Sequence, residues 1–209
     1  MGGRITLGLS TPHHTLLSMD VAHDSVAAAV LSSFQHSFRS YKTLAERALA
    51  QLTPEEWLYR PVPGSNSTAV IVKHMVGNLR SRFTDFLTTD GEKPDRNRDQ
   101  EFEEPSDVEA IAPLQKQWEA AWPILLDLLD TLTPADLLRT VTIRGEAHSV
   151  LTALQRQATH YAYHTGQIVQ LAKQIRGEAW QTLSVPRGQS QAFNAAKWAE
   201  SNNDDASRL

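Results

Sequence analysis

Three histidines of this chain have the residue type and the spacing of a metal site. His160 and His164 lie four residues apart, so on a helix both imidazoles project from one face and can reach the same cation. The pair alone is better explained by two exposed or core histidines. His74 changes that balance because it lies in an apolar segment, where an imidazole without a partner is costly to bury. We therefore predict that His74, His160 and His164 bind one divalent metal.

Three neutral imidazoles leave coordination positions open, as in catalytic rather than structural metal sites. A metal held in this way lowers the pKa of bound water toward ~7 or deprotonates a coordinated thiol, and either species could attack an electrophile. The sequence has no Asp or Glu at helical spacing beside the three histidines, unlike zinc proteases, in which a glutamate next to a ligand is the general base. Peptide hydrolysis is therefore disfavoured.

Polar residues extend along the same predicted helix faces. Asn78 and Arg82 follow His74 at four-residue intervals, and Gln167 comes three residues after His164. These three are candidates for catalysis, for supporting the ligands or for contacting the substrate, and Asn78 or Gln167 could hold a metal-bound water molecule. The alternative is that they are ordinary surface side chains.

The segment 92–104 alternates densely between acidic and basic residues. This pattern is typical of a solvated loop. If the loop instead folds over the end of the helices, Arg96 or Arg98 could bind the carboxylate of a thiol cofactor or an anionic substrate bidentately. The role of the loop stays open at this point.

Helical periodicity and capping signals predict four long helices. They run from Ser25 to about Leu52, from Ser67 or Thr68 to about Leu87, from a capping box at Ser106 and Glu109 to Thr133, and from Ser149 to about Gly177. A short helix is predicted after Thr53, and a small hairpin at Thr140–Ile143 with Arg144-Gly145 as its turn. Trp118 and Trp122 are expected in the core.

The chain reads twice as a long helix, Leu-Thr-Pro, a short segment and a histidine-bearing helix. This weak repeat suggests two antiparallel helix hairpins packed as one all-α bundle. With 209 residues we expect one domain at residues 23–200, between flexible segments at 1–22 and 201–209.

Composition excludes several classes of protein. The net charge of −4 and the pI of about 6.0 give no basic surface for nucleic acid. Cysteine is absent, so disulfides, thiolate nucleophiles and cysteine-containing zinc sites are excluded. No apolar run approaches the ~20 residues of a membrane span, and no signal-peptide pattern opens the chain. A cytoplasmic location and a small-molecule substrate are expected.

The two histidine segments resemble a known family. His74 within Val72–Asn78 and the run His160–Ile168 look like the three-histidine signature of the DinB-like, or YfiT-like, superfamily. The segments 77–82, 89–94, 96–102 and 184–190 resemble one of its subfamilies of unknown function. The resemblance implies an up-down-down-up four-helix bundle, often a homodimer, with a divalent metal on the three histidines. Some relatives are S-transferases that use low-molecular-weight thiols.

Two hypotheses follow for function. The first is a metal-dependent enzyme, with thiol transfer to a small electrophile as the leading reaction. The second is a non-catalytic bundle that binds a metal or a small ligand, which the missing general base favours. A purely structural bundle is the third and weakest reading. Three imidazoles suit several metals, of which zinc and nickel lead, and sequence does not select among them.

Overall fold

The protein is described here from a computed structural model, in which the backbone of residues 13–206 and the side chains of residues 25–200 are described. Of the segments expected to be flexible, residues 1–12 and 207–209 lie outside the described backbone, and residues 13–22 and 201–206 belong to the first and last helices. Whether the segments 1–22 and 201–209 are flexible, and whether one domain spans residues 23–200, stay predictions. Within the described part, no helix is both long and apolar enough to cross a membrane.

Seven α-helices and one two-stranded hairpin follow one another along the described chain. They are α1 (His13–Leu49), α2 (Pro54–Trp57), α3 (Thr68–Phe83), α4 (Arg98–Glu101), α5 (Ile111–Thr131), β1 (Thr140–Ile143), β2 (Glu146–Ser149), α6 (Val150–Arg176) and α7 (Ser190–Ala206). Single 3₁₀ turns at Val108–Ala110, Pro134–Leu138 and Gly177–Ala179 connect some of them. The predicted all-α class with short extra helices and a small hairpin is confirmed.

The four long helices α1, α3, α5 and α6 form a bundle around one apolar core. Its largest fully buried side chains come from all four helices and include Phe38, Leu79, Trp122 and Tyr161. Trp118 and Trp122 pack edge to face with ring centroids 5.3 Å apart, so their predicted place in the core is confirmed. Burial of this size stabilises each aromatic side chain by about 1.5 to 3 kcal/mol.

The pairing of the helices differs from the two hairpins suggested by the sequence repeat. Within the described residues, α1 packs most extensively on α6, and α3 on α5. The two helices of each suggested hairpin, α1 with α3 and α5 with α6, therefore contact each other little. The repeat was read correctly as local structure, but the apolar faces of these helices select partners across the bundle.

Most predicted helix starts are confirmed by their caps. Thr53 and Glu56 form a capping box at α2, the Ser67 side chain accepts from the backbone of Val70, and Ser149 caps α6. The predicted box at Ser106 and Glu109 is wrong, because the Ser106 hydroxyl instead donates to the adjacent Asp107 carboxylate.

Two helix ends also differ from the sequence prediction, and one helix was not predicted. Helix α1 begins at His13 rather than at Ser25. Helix α3 ends at Phe83 rather than near Leu87, because Asp85 takes a left-handed conformation with φ of 49°. Helix α7 was not predicted, and its exposed side chains, such as Trp198, explain why no core periodicity marked it.

The loop that follows α3 is hydrogen-bonded through Asp90 to the turn of the hairpin, which we call the β-turn (Arg144-Gly145). The Asp90 carboxylate accepts backbone N–H groups of both turn residues at 2.8 Å and that of Glu92 at 2.7 Å. Hydrogen bonds from the backbone of Gly145, Glu92 and Arg144 lower the pKa of Asp90. Both turn residues have positive φ, 55° and 76°, as tight hairpin turns require. Arg144 of this turn lines a cavity that His74 and His160 also line.

Candidate metal centre

The bundle brings the three predicted histidines together. His74 lies on α3 and the other two on α6, and one ligand atom of each lies within 4.8 Å of those of the others. Nε2 of His160 is 3.1 Å from Nε2 of His74 and 3.1 Å from Nε2 of His164. Nitrogens that share a zinc ion at about 2.0 to 2.1 Å lie about 2.8 to 3.4 Å apart in octahedral or tetrahedral geometry. The cluster could therefore hold one metal ion.

Glu101, on the short helix α4, orients His74. Its Oε2 lies 2.8 Å from Nδ1 of His74. An ionised carboxylate can only accept, so Nδ1 of His74 carries the hydrogen and the lone pair of a neutral ring is on Nε2. Burial by itself would raise the pKa of Glu101, but hydrogen bonds from His74 and Arg96 and the charge of Arg96 outweigh it and leave the pKa lowered.

Arg96 in turn holds the Glu101 carboxylate. Its Nε and Nη2 donate to the two carboxylate oxygens at 2.7 and 2.9 Å, a bidentate pair. Its Nη1 lies 3.2 Å from Glu92. Burial lowers the pKa of Arg96, and the hydrogen bond and charges of Glu101 and Glu92 more than restore it, so the pKa is raised. Arg96, which the sequence suggested as a binding residue for a thiol cofactor or an anionic substrate, thus pairs with Glu101 and Glu92 of the protein itself.

Gln167 does the same for His164 from within α6. Its Oε1 accepts from Nδ1 of His164 at 2.8 Å, and its Nε2 donates to the Tyr163 hydroxyl at 3.0 Å. The second lone pair of the centre, on Nε2 of His164, therefore faces His160. Gln167 thus contacts His164 from the helix face on which its spacing places it.

His160 lies between the other two histidines and is neutral at physiological pH. Burial, together with repulsion from His164 and His74, lowers its pKa to about 3. Burial also lowers the pKa of His164 to about 4, although the hydrogen bond to Gln167 opposes this. Neutral imidazoles are the form that binds metals, so both rings are ready to act as ligands.

Glycine at position 77 gives Glu101 its place. A Cβ added there would overlap the Oε1 and Cδ atoms of the Glu101 side chain. Gly77 lies in the interior of α3, where glycine normally costs about 1 kcal/mol relative to alanine. Glycine is nevertheless required at this position, because any other side chain would prevent the Glu101 carboxylate from packing against α3.

A cavity of about 180 Å³ borders His74 and His160. The predicted candidates Asn78, Arg82, Arg96 and Arg98 all line it. Asn78 also accepts from the Tyr161 hydroxyl at 2.9 Å. Gln167 is not among the lining residues, and sequence reasoning missed four that matter to the cavity or the centre: Glu101, Arg144, Arg156 and Gln157. A glycine in mid-helix beside His74 was the one sequence signal for a close approach.

Comparison with known families places the chain. The sequence matches the family described as "Protein of unknown function (DUF1572)" over residues 25–189, which includes all three histidines and Glu101. The chain belongs to this family. A comparison with curated proteins finds no match.

Proposed function

We propose that the protein binds one divalent metal through Nε2 of His74, His160 and His164 and uses it for a reaction of a small molecule. One observation carries the proposal, namely the two Nε2 separations of 3.1 Å on either side of His160. Acceptors on Nδ1 of the outer two rings support it, because such acceptors orient ligating histidines in metal sites. Zinc and nickel are the leading metals.

Thiol transfer to a small electrophile is the reaction that we propose. A bound dication would supply Lewis acidity, which lowers the pKa of a coordinated thiol or water. None of the described residues lining the cavity is a carboxylate, and both oxygens of Glu101 are engaged by His74 and Arg96. A reaction that needs a free carboxylate as general base is therefore less well supported. The resemblance to DinB-like transferases points the same way.

The chain's own residues have separate tasks in this proposal. Glu101 and Gln167 fix which nitrogen of His74 and His164 carries the hydrogen, and thus keep Nε2 available. Burial keeps His160 uncharged. The arginines on the cavity wall would hold the substrate or the thiol beside the centre. A homodimer is a further expectation from the resemblance.

Elemental analysis of untagged protein tests the metal site first. We expect about one divalent metal per chain in the natural sequence, lost in His160→Ala and kept in His36→Ala, in which the altered histidine is exposed and lies outside the cluster. Absence of metal from the natural protein would remove the proposal. Turnover is then screened with several low-molecular-weight thiols against one electrophile. Stoichiometric metal without thiol-dependent turnover would favour the non-catalytic binding bundle.

A further inference from the structure

The cavity beside the histidines is lined by five arginines and by no described acidic residue. The arginines are Arg82, Arg96, Arg98, Arg144 and Arg156. They come from α3, from the loop around α4, from the β-turn and from α6. Such convergence from four parts of the fold differs from a solvated run of charge along one element.

Among the residues whose side chains are described, two carboxylates pair with these arginines. Glu92 contacts Arg82, Arg96 and Arg144 at 3.8, 3.2 and 3.2 Å, and Glu101 is held by Arg96. Five guanidinium groups and two carboxylates give this cluster a net charge of +3. A metal on the neighbouring histidines would add to this excess.

Arg82 is the least satisfied of the five. The residue is 3% exposed, and its Nε and Nη1 are buried without a hydrogen-bond partner among the described residues. Burial lowers its pKa, with the charge of Glu92 opposing. A buried guanidinium with two unpartnered nitrogens costs stability unless a ligand or solvent satisfies it.

Neighbouring groups extend this unsatisfied lining. Gln157 Oε1 and His160 Nδ1 are also buried without a partner among the described residues, and both side chains border the cavity. Arg98 is held at the cavity with its guanidinium 4.9 Å above the Phe102 ring, which itself packs on His74 at 4.7 Å. The cavity is thus a built polar site that adjoins the histidines.

We infer that this cavity binds an oxyanion group carrying two negative charges, such as a phosphate monoester or a dicarboxylate, next to the metal centre. Guanidinium groups bind such oxyanions by paired hydrogen bonds. Its volume of about 180 Å³ is below the about 300 to 1,000 Å³ of pockets for drug-sized ligands, so it suits the anionic end of a molecule. The inference deepens the proposed function by giving the substrate class, but binding can be tested without turnover.

Inorganic phosphate is the first probe, measured by isothermal titration calorimetry on the protein as isolated, at fixed ionic strength set with potassium chloride. We expect saturable binding, with weaker binding of acetate. A dicarboxylate, succinate, is titrated in parallel to separate phosphate from carboxylate as the source of the charge. Arg82→Met and Arg156→Gln should each weaken binding by about tenfold or more, as expected for loss of a charged hydrogen-bond donor. Arg60→Gln, an exposed arginine that does not line the cavity, is the matched control and should bind as the natural protein does.

Equal phosphate affinity in Arg82→Met and the natural protein would overturn the inference. If Arg82→Met does not fold, Arg156→Gln, whose side chain is exposed, decides in the same way. Titration of chelator-treated protein separates the two proposals. Phosphate binding that persists after the metal is removed would show that the anion site does not depend on the metal. If the protein as isolated contains no metal and still binds phosphate through both arginines, the metal proposal is refuted and the anion site stands. Binding that needs only the metal and ignores both arginines would refute the anion site.

Discussion

Replacing Gly77 by alanine should weaken metal binding at the proposed centre, although Gly77 is not itself one of the candidate ligands. The added Cβ would overlap the Glu101 carboxylate. His74 and two nitrogens of Arg96 hydrogen-bond that carboxylate on its other sides. It can therefore move away from the added Cβ only by breaking these hydrogen bonds. His74 would lose the acceptor that determines its tautomer.

Two opposing energies decide the net effect of Gly77→Ala on stability. Alanine favours the helix by about 0.8 to 1 kcal/mol over glycine. Breaking a buried ion pair costs about 3 to 5 kcal/mol, which we reduce to about 2 to 4 because Arg96 keeps Glu92. The net loss is therefore about 1 to 3 kcal/mol, measured by urea unfolding of the metal-free proteins.

Metal affinity gives the sharper measurement for the same variant. Loss of a partner that orients a ligating histidine typically lowers affinity by about 10- to 100-fold. The assay is competition for zinc against a chromophoric chelator, with Glu101→Gln as a second way to weaken the same contact. Gly166→Ala is the matched control, because Gly166 is also in a helix beside a ligand but a Cβ there meets nothing within 4 Å. It should gain stability and keep its affinity.

The reasoning would be refuted by a Gly77→Ala protein that is as stable as the natural one and binds zinc equally well. Such a result would mean that Glu101 moves aside at no cost and that its hydrogen bond to His74 does not orient the ring. A loss of stability in Gly166→Ala as well would point to a general effect of the substitution on these helices.

Three further predictions concern the centre and the helix that holds it. Gln167→Leu should lower zinc affinity by about tenfold, since His164 loses its acceptor; unchanged affinity in the chelator assay would argue against orientation by Gln167. Metal-free protein should be most stable above pH ~6.5 and lose stability as pH falls toward 4, because the unfolded chain takes up protons near 6.5 while His160 and His164, with pKa values lowered to about 3 and about 4, do not. A flat urea midpoint between pH 7.5 and 5 would contradict this. The Ser67 hydroxyl accepts from the backbone of Val70 and donates to the Glu104 carboxylate at 2.7 Å. Ser67→Ala removes both contacts and should cost about 1 to 2 kcal/mol; unfolding with an unchanged midpoint would show that the cap is dispensable.

The cluster of three candidate ligands could be predicted from sequence because helical geometry relates them. His160 and His164 are four apart, so any helix places them on one face. His74 required only the further step that its helix packs in the same bundle. Helix starts at Thr53, Ser67 and Ser149 were equally local, since each depends on a side chain reaching a backbone group three residues on. These features follow from short-range geometry and appear in the sequence as spacing.

The surroundings of the ligands depend on contacts that no spacing encodes. Glu101 is 27 residues from His74 and reaches it only because α4 packs on α3 over a glycine. The predicted helix pairing was wrong for the same reason. The sequence repeat describes each segment by itself, and it does not indicate that α1 packs on α6 and α3 on α5.

The same long-range folding explains why the segment 92–104 read as a solvated loop. Its alternating charges are typical of solvent exposure, yet the Arg96 and Glu101 side chains are only 4% and 8% exposed. Their charges neutralise each other inside the protein. Glu101 contacts His74 on one side of the pair, and Arg96 lines the cavity of five arginines on the other. The alternating charges of this segment thus form largely buried ion pairs. A charge pattern alone does not distinguish such pairs from a solvent-exposed loop. The loop therefore joins the metal centre and the proposed anion site, so a variant that detaches it should impair both together.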